Sequence, residues 1–528
     1  MTETPIGVAD PQVGGAASSR RAAGAIVGVL AGAAALGAAE LLAALFGPNS
    51  SPIVAVGAAI VAASPEWLTS FAIRTFGTGD KPALLIGIGV VLLVLAAVVG
   101  AASVRRPRLA TGGFVVLGAI GAAAAVTRPG NDILDAIPSI AGAGVGVVVY
   151  RWIRGIAPID ATSEAPGAPT TIPGYDRRRF LRSGVTVAGL AAVAGGLGRF
   201  LTSRTSAAAS RAAVSLPPPA DALPPPPAGA DLGIQGVAPF LTANGEFYRV
   251  DTALLVPAVD AATWSLRVHG MVDRELTLDY EDVLAQPTIE RDVTLACVSN
   301  EVGGPYIGNA RWVGTPLSDL LREAGVDPGA SQLVSRSIDG FTIGTPTAVV
   351  MDGRDAMLAI GMNGEPLPLE HGFPVRMIVP GLYGYVSATK WLVDLELTTM
   401  DAYDAYWIQR GWAKEAPIKT QSRIDTPRDG ADVAAGPVAV AGVAWAQHRG
   451  IDRVEVRVDD GPWDEAELAA EDTIDTWRQW VYRWDATPGR RTIAVRATDG
   501  DGRTQTAERA EPFPDGATGH HTITVEVS

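Results

Sequence analysis

TLACVSN, residues 294–300, contains Cys297, the only cysteine among 528 residues. A single thiol cannot close a disulfide within the chain. Cys297 is therefore either a small core residue or a ligand, and the rest of the sequence has to decide between the two.

The apolar residues, 48% of the chain, are segregated. Between about residues 22 and 155 charges are sparse and Ala, Gly, Val and Leu dominate, whereas Asp and Glu crowd the region after about residue 245. The net charge of -14 falls mostly in that second half, and an acidic surface argues against a nucleic-acid partner, which needs a cationic face. The first half points to a membrane. Stretches 22–46, 83–103 and 109–127 reach the roughly 20 apolar residues that cross a hydrocarbon core, and a fourth, 134–153, is shorter and carries Asp135 near its start. The run 52–63 is too short to span, and the polar SPEWLTSFAIRTFGTGDK (64–81) after it reads as interfacial or re-entrant. Lys and Arg stay cytoplasmic, so Arg20 and Arg21, the RRPR cluster at 105–108 and RWIR at 151–154 are expected inside, with 52–82 outside.

DRRRFLRSGVTVAGLAAVAGGLG, residues 176–198, sets Arg177 and Arg178 ahead of an uncharged small-residue run. It resembles a twin-arginine export signal, and it also reads as an ordinary span with basic flanks. In both readings the chain crosses outward there, leaving the residues after about 203 outside the cytoplasm. SLPPPADALPPPPAGADL, 215–232, reads as an extended proline-rich tether, and TSAAAS, 205–210, is a candidate cleavage site.

After about residue 236 short β-like runs alternate with a few helices, as in TWSLRVHGMV, LDYEDVLAQ and PLSDLLREAG, which reads as an α+β domain. After residue 415, VAVAGVAWA, VEVRVDD, WRQWVYRWD, RTIAVRATD and HTITVEVS recur at regular spacing, as in an immunoglobulin-type β-sandwich. All five histidines, His269, His371, His448, His520 and His521, follow the tether, so the spans offer no histidine to a b-type haem and the chain has no CxxCH site for a c-type one. A zinc or iron site built from His and Cys clusters is absent too. If Cys297 is a ligand it stands nearly alone, and the rest of the metal shell has to come from an organic sulfur cofactor.

Four stretches then carry a resemblance: NGEFYRVD (244–251), TLACVSN (294–300), LAIGMNGEPLPLEHGFPVRMIVPGLYGYVSATKW (358–391) and DAYWIQRGW (404–412). In this order they resemble the sulfite oxidase family of molybdopterin enzymes, over about 236–528. The resemblance implies a molybdenum-molybdopterin cofactor with Cys297 as the thiolate on the metal. It implies that Asn244, Tyr248 and Arg249 line the pterin, with Arg249 beside Cys297 in the catalytic set, and that Asn300 braces the turn after the ligand. His371 and Arg376 in HGFPVR, and Ser387, Thr389 and Lys390 in SATK, would hold the pterin and its phosphate, since a buried phosphate needs charge-assisted donors. The chain departs from the family where arginines flank the ligand loop, here Glu301 and Val302, and where an active-site tyrosine is expected, here Phe341. These changes weaken an oxyanion pocket and argue against sulfite.

The expected architecture is multi-domain. A helical membrane domain with about four spans (1–175) is followed by the twin-arginine-like segment and span (176–203) and a Pro-rich linker (204–235). An α+β sulfite-oxidase-type molybdopterin domain (236–414) and an immunoglobulin-like β-sandwich of dimerisation type (415–528) complete the chain. The expected function is a multi-pass, membrane-anchored oxidoreductase with its catalytic domain on the extracytoplasmic side. It would transfer an oxygen atom, with two electrons, on a small substrate, and exchange electrons with an external carrier or redox partner subunit. A homodimer through the β-sandwich is part of this expectation. The alternative is a cofactor-free, membrane-anchored scaffold or adhesion protein on the same fold.

Overall fold

A computed structural model of the chain describes residues 11–47, 50–64, 68, 71, 75, 76, 80–104, 106–128, 132–157, 177–204 and 207–528. Most of the expected interfacial stretch 64–81, Arg105 of the RRPR cluster, Asp176 and the first two residues of TSAAAS lie outside the described residues. The chain forms two compact units, one of residues 1–205 with 253–258, the other of 206–252 with 259–528.

The first unit is helical: α1 (Pro11–Phe46), α2 (Pro52–Ala63), α3 (Asp80–Ala102), α4 (Pro107–Val126), α5 (Ile137–Arg154) and α6 (Arg177–Arg204). Among the described residues, five helical stretches are long and apolar enough to cross a membrane, Arg20–Phe46, Lys81–Ala102, Pro107–Val126, Ile133–Arg154 and Arg178–Gly198. Asp135 sits in a 3-10 turn (Ile133–Ala136), where its carboxylate accepts from the Asp132 N–H at 2.9 Å and caps the chain ahead of α5. Apolar surface is uniform around such helices, so small residues decide which faces meet. A Cβ on Gly28 would lie 2.0 Å from the Ala96 carbonyl oxygen, so α1 and α3 pack backbone to backbone there. The short α2 starts at Ser51, whose Oγ accepts from Val54 N–H at 3.3 Å and donates to Glu40 at 2.6 Å.

In the second unit, two sheets build the α+β domain expected over 236–414. Strands β1 (Ser265–Gly270), β2 (Leu276–Asp279), β3 (Ile289–Ala296), β4 (Ile307–Pro316), β5 (Gln332–Ser337), β6 (Thr342–Pro346), β7 (Met357–Met362), β8 (Glu365–Pro366), β9 (Arg376–Ile378) and β10 (Leu392–Thr398) follow in chain order. One sheet runs β3-β4-β7-β8 with β9 added on β7, the other β2-β1-β10-β5-β6. Every residue of β7, MLAIGM, is buried, which explains why its sequence is a continuous apolar run rather than an alternating one. PLSDLLREAG folds as the amphipathic helix Leu317–Ala324, buries Leu317, Leu320 and Leu321, and ends at Gly325 with φ +70°, a left-handed stop that glycine adopts without strain.

The sandwich is made of β11 (Gln421–Thr426), β12 (Asp432–Val433), β13 (Gly436–Trp445), β14 (Ile451–Val458), β15 (Asp464–Glu465), β16 (Glu467–Leu468), β17 (Arg478–Ala486), β18 (Gly489–Asp499) and β19 (His521–Val527). Its sheets run β11-β13-β17-β16 and β12-β19-β18-β14-β15 around Val440, Val454, Trp480, Ile493 and Val525. The five repeating stretches read in the sequence coincide with β13, β14, β17, β18 and β19.

The proline-rich stretch is extended, but it does not stand free as a tether. Asp221 pairs with Ile289 in a parallel bridge, and the Arg291 guanidinium takes its carboxylate at 2.5 Å. Arg311 donates to the Pro224 carbonyl at 2.9 Å, and Ala470 N–H donates to that of Gly229 at 3.0 Å. Proline lacks the N–H but keeps the carbonyl, so such a stretch accepts from arginines and main chain as it crosses the domain surface. The helix Ala207–Ala213, which includes the last four residues of the candidate cleavage site, is held likewise, with Arg211 donating to the Leu367 carbonyl at 2.8 Å.

Candidate active site

The site starts at the end of β3. Thr294, 1% exposed, is fixed on four sides. Its N–H donates to the Asp475 carbonyl (3.0 Å), its carbonyl accepts from Gln447 Nε2 (3.0 Å), and its hydroxyl accepts from Trp477 N–H (2.8 Å) and donates to Asn309 (3.0 Å). Three of these partners belong to the sandwich region, so that region grips the strand three residues ahead of Cys297. The turn after it is pinned too. Cys297 N–H donates to the Tyr306 carbonyl at 3.0 Å, and Tyr306 N–H donates back to Asn300 Oδ1 at 2.8 Å. At Gly303, φ +79°, a Cβ would sit 2.3 Å from the His521 ring of the sandwich, so a side chain there is excluded by space and by backbone alike.

Cys297 faces a cavity of about 130 Å³. Tyr248, His371, Arg376 and Lys390 share its wall. Arg376 is buried with its guanidinium 5.0 Å from the Trp312 ring, and Nη1 donates to the His371 carbonyl at 3.1 Å. Burial lowers its pKa to about 10, with the neighbouring Tyr248 opposing that shift. Lys390 donates to Asp251 at 2.9 Å and to the Glu370 carbonyl at 3.2 Å, and burial lowers its pKa to about 8 against the pull of Asp251. His371 sets Nε2 2.9 Å from the Asn244 carbonyl, an obligate acceptor, so that nitrogen carries the proton. Burial pushes the His371 pKa down to about 4, which keeps the ring neutral. Burial raises the Tyr248 and Cys297 pKa values, and hydrogen bonds from Ser299 partly offset the rise at the thiol.

The other five residues singled out in the sequence do not line this cavity. Asn244 bridges Glu365 (2.6 Å) and Asn363 (2.8 Å) beneath His371. Arg249 is exposed and paired with Asp251 at 2.8 Å, and therefore reaches the cavity only through the carboxylate that also holds Lys390. Asn300 supports the ligand turn. The Ser387 hydroxyl donates to the Leu382 carbonyl at 2.9 Å and that of Thr389 shares a 2.5 Å hydrogen bond with Ser335, both fully buried. Phe341 does line the cavity, whereas Glu301 and Val302 do not.

The wall also includes residues that the sequence did not single out. Ser337 is 4% exposed and its hydroxyl has no partner, and Arg376 Nε is likewise buried without one. Trp407 and Trp412, with ring centroids 6.2 Å apart, and Tyr385, whose hydroxyl donates to the Ala413 carbonyl at 2.6 Å, supply ring faces. Both tryptophans lie in the DAYWIQRGW motif, which announced them without assigning them a place. Ser337 lies in no such motif.

The oxidoreductase molybdopterin binding domain family matches residues 253–407, and the bacterial Ig domain family matches residues 421–525. Mouse mitochondrial sulfite oxidase is 33% identical over 291 residues, covering 46% of this chain and 53% of that protein. The Bacillus subtilis (strain 168) oxidoreductase YuiH is 34% identical over 153 residues, covering 29% of this chain and 74% of its own length. The structure of the sulfane dehydrogenase SoxCD from Paracoccus pantotrophus aligns with a TM-score of 0.49 at 24% identity, over 56% of this chain and 82% of that one. The chain spans about half the length of the sulfite oxidases it matches, 53% for the mouse protein. This chain belongs to the sulfite oxidase family of molybdopterin-dependent oxidoreductases. Residues 253–407 match a domain of the kind that binds a molybdenum-molybdopterin cofactor in oxidoreductases.

The cavity fits that cofactor on its own chemistry. A lone thiol supplies one soft donor, the buried Arg376 and the largely buried Lys390 match a phosphate, and two buried polar atoms, Arg376 Nε and Ser337 Oγ, lack partners among the described residues.

Proposed function

We propose that this protein is a membrane-anchored oxidoreductase that moves an oxygen atom, with two electrons, between a small substrate and its molybdenum centre outside the cytoplasm. The observation that carries this reading is the placement of the only cysteine on the same cavity wall as the buried cations Arg376 and Lys390. When bound, the cofactor supplies a metal centre that gives or takes an oxygen atom.

The residues act around it. Cys297 would hold the metal through its sulfur, and burial favours its thiol form in the absence of such a ligand. Arg376 and Lys390 would bind the phosphate, and Ser337 and the Arg376 Nε would be free to donate to polar atoms of the pterin. His371, neutral and with its Nε2 proton held by Asn244, presents Nδ1 as an acceptor beside it. Tyr248 closes one side. Asn244 and Asn300 position their neighbours, Arg249 acts through Asp251 on Lys390, and Ser387 and Thr389 fix the strand entry that carries Lys390. Phe341, Tyr385, Trp407 and Trp412 give the substrate side ring faces in place of guanidinium groups, which favours a neutral small molecule over an oxyanion. Electrons pass to or from an external carrier or a redox partner subunit, and the sandwich serves a homodimer.

The test is Cys297→Ser in the full chain, assayed with an artificial electron carrier. Turnover is expected to fall by more than about a hundredfold, as loss of a metal ligand exceeds the effect of a supporting contact. The unfolding midpoint should stay close to that of the parent. Retained activity removes Cys297 from the metal, and loss of folding assigns it to the core.

A further inference from the structure

The hairpin turn between β5 and β6 brings the cavity beside Cys297 a group that the cofactor reading leaves unused. Residues 337–341 close on themselves, with Gly340 N–H donating to the Ser337 carbonyl and Ser337 N–H to the Phe341 carbonyl, both at 2.9 Å. Ser337, Asp339 and Phe341 of this turn all line the wall. Among the described residues four charged side chains line it, and three are accounted for: Lys390 pairs with Asp251 at 2.9 Å, and Arg376 lies against Trp312. Asp339 is the fourth. Half-buried, it accepts from the Phe341 N–H through Oδ1 at 3.2 Å, which caps the turn, and its Oδ2 has no partner among the described residues.

The surroundings select what such a carboxylate can hold. Phe341, Tyr385, Trp407 and Trp412 line the same wall. The Trp412 ring is inclined by 75° to Trp407 and by 57° to Tyr385, at centroid separations of 6.2 and 5.8 Å, so the rings form corners rather than a flat stack. Next to them Tyr406, 5.5 Å from Phe341 and 5.1 Å from Trp407, already carries a cation of the chain's own, the Arg410 guanidinium at 3.6 Å from its ring centre. Ring faces are the negative side of the aromatic quadrupole and attract cations. A carboxylate beside them repels an anion and supplies the countercharge of a cation. An ammonium bearing protons would need an acceptor for each N–H, whereas a fully alkylated one needs only ring faces and that countercharge.

We propose that Asp339 and these rings bind an alkylammonium group, so that the substrate is a small molecule with a quaternary ammonium head and an uncharged reacting group. The proposal rests on the reading of this cavity as the substrate side of a molybdenum centre.

The experiment titrates the full chain in maltoside detergent with choline and with dimethylbutanol, its uncharged carbon isostere, followed by saturation-transfer NMR. Choline is expected to bind at least about tenfold more tightly than dimethylbutanol. Asp339→Asn keeps an acceptor for the Phe341 N–H and removes only the charge. It should weaken choline about threefold to tenfold and leave dimethylbutanol unchanged, while Asp339→Glu keeps the preference. Trp412→Leu should weaken choline as well. If Trp412→Leu does not fold, the Asp339 pair alone decides. Equal affinity for the two probes, or choline affinity indifferent to Asp339→Asn, overturns the proposal. Turnover of Cys297→Ser separates the two readings. If it equals that of the parent, the reading of the cavity as a molybdenum site fails; if it collapses while choline binds no better than dimethylbutanol, only the cationic substrate class fails.

Discussion

His371 shows how burial sets chemistry at the level of one residue. Its surroundings exclude the charged ring, and its ring proton is committed to the Asn244 carbonyl. The folded-state pKa of about 4 lies below the ordinary 6.5, so its stabilising effect is complete above pH 6.5 and is lost as pH falls toward 4. That difference amounts to at most about 3 kcal/mol. We therefore expect urea-unfolding stability of the parent to decline from pH 6.5 to 4, and His371→Gln to flatten that decline relative to the parent. The same slope in both proteins would mean that other groups set the acid limb. Arg376 is the opposite case, a cation kept buried. Its guanidinium lies 5.0 Å from the Trp312 ring, and its Nε has no partner among the described residues.

At the scale of elements, β3 is the piece on which the site depends. Thr294 ties it to Asp475, Trp477 and Gln447, all more than 150 residues away in sequence. Thr294→Val keeps the shape but leaves the Trp477 N–H without its acceptor, and should cost about 2–3 kcal/mol in chemical denaturation. We also expect lower molybdenum content in this variant, since the same strand delivers Cys297. Unchanged stability would show that the sandwich is only loosely seated on β3.

Local patterns made much of this legible beforehand. The alternation in WRQWVYRWD gave β17, the apolar lengths gave the long helices, and the short motifs held Cys297, His371, Arg376 and Lys390. The contacts of Thr294, the place of Ser337 in the cavity wall and the lacing of the proline stretch were not legible. Each depends on which distant residue the fold brings near, and neither periodicity nor turn chemistry encodes that. Asn244, Ser387 and Thr389 mark the same boundary, since their motifs were readable while the direction of their hydroxyl and amide groups was not.

For the whole molecule the decisive property is sidedness. Positive clusters occur at Arg20 and Arg21, at Arg106 and Arg108, and at Arg151 and Arg154, and from them we propose that those helix ends are cytoplasmic. On our reading the catalytic unit is then outside, and protease added to intact spheroplasts should cut it. Replacing Arg177 and Arg178 together by lysine should leave that unit protected inside if export uses the twin-arginine route. Unchanged accessibility of the double variant would reject that route while leaving the membrane anchor standing.

Having one sulfhydryl in the whole chain also turns Cys297 into a gauge. A maleimide reacts with a free thiol and not with one already bonded to a metal, so each chain takes up one label or none. The mass spectrum of an intact batch, labelled to completion near neutral pH where maleimide spares amines, would show two peaks separated by one adduct. Their ratio gives the loaded fraction of every preparation, chain by chain, without reference to an average over the sample.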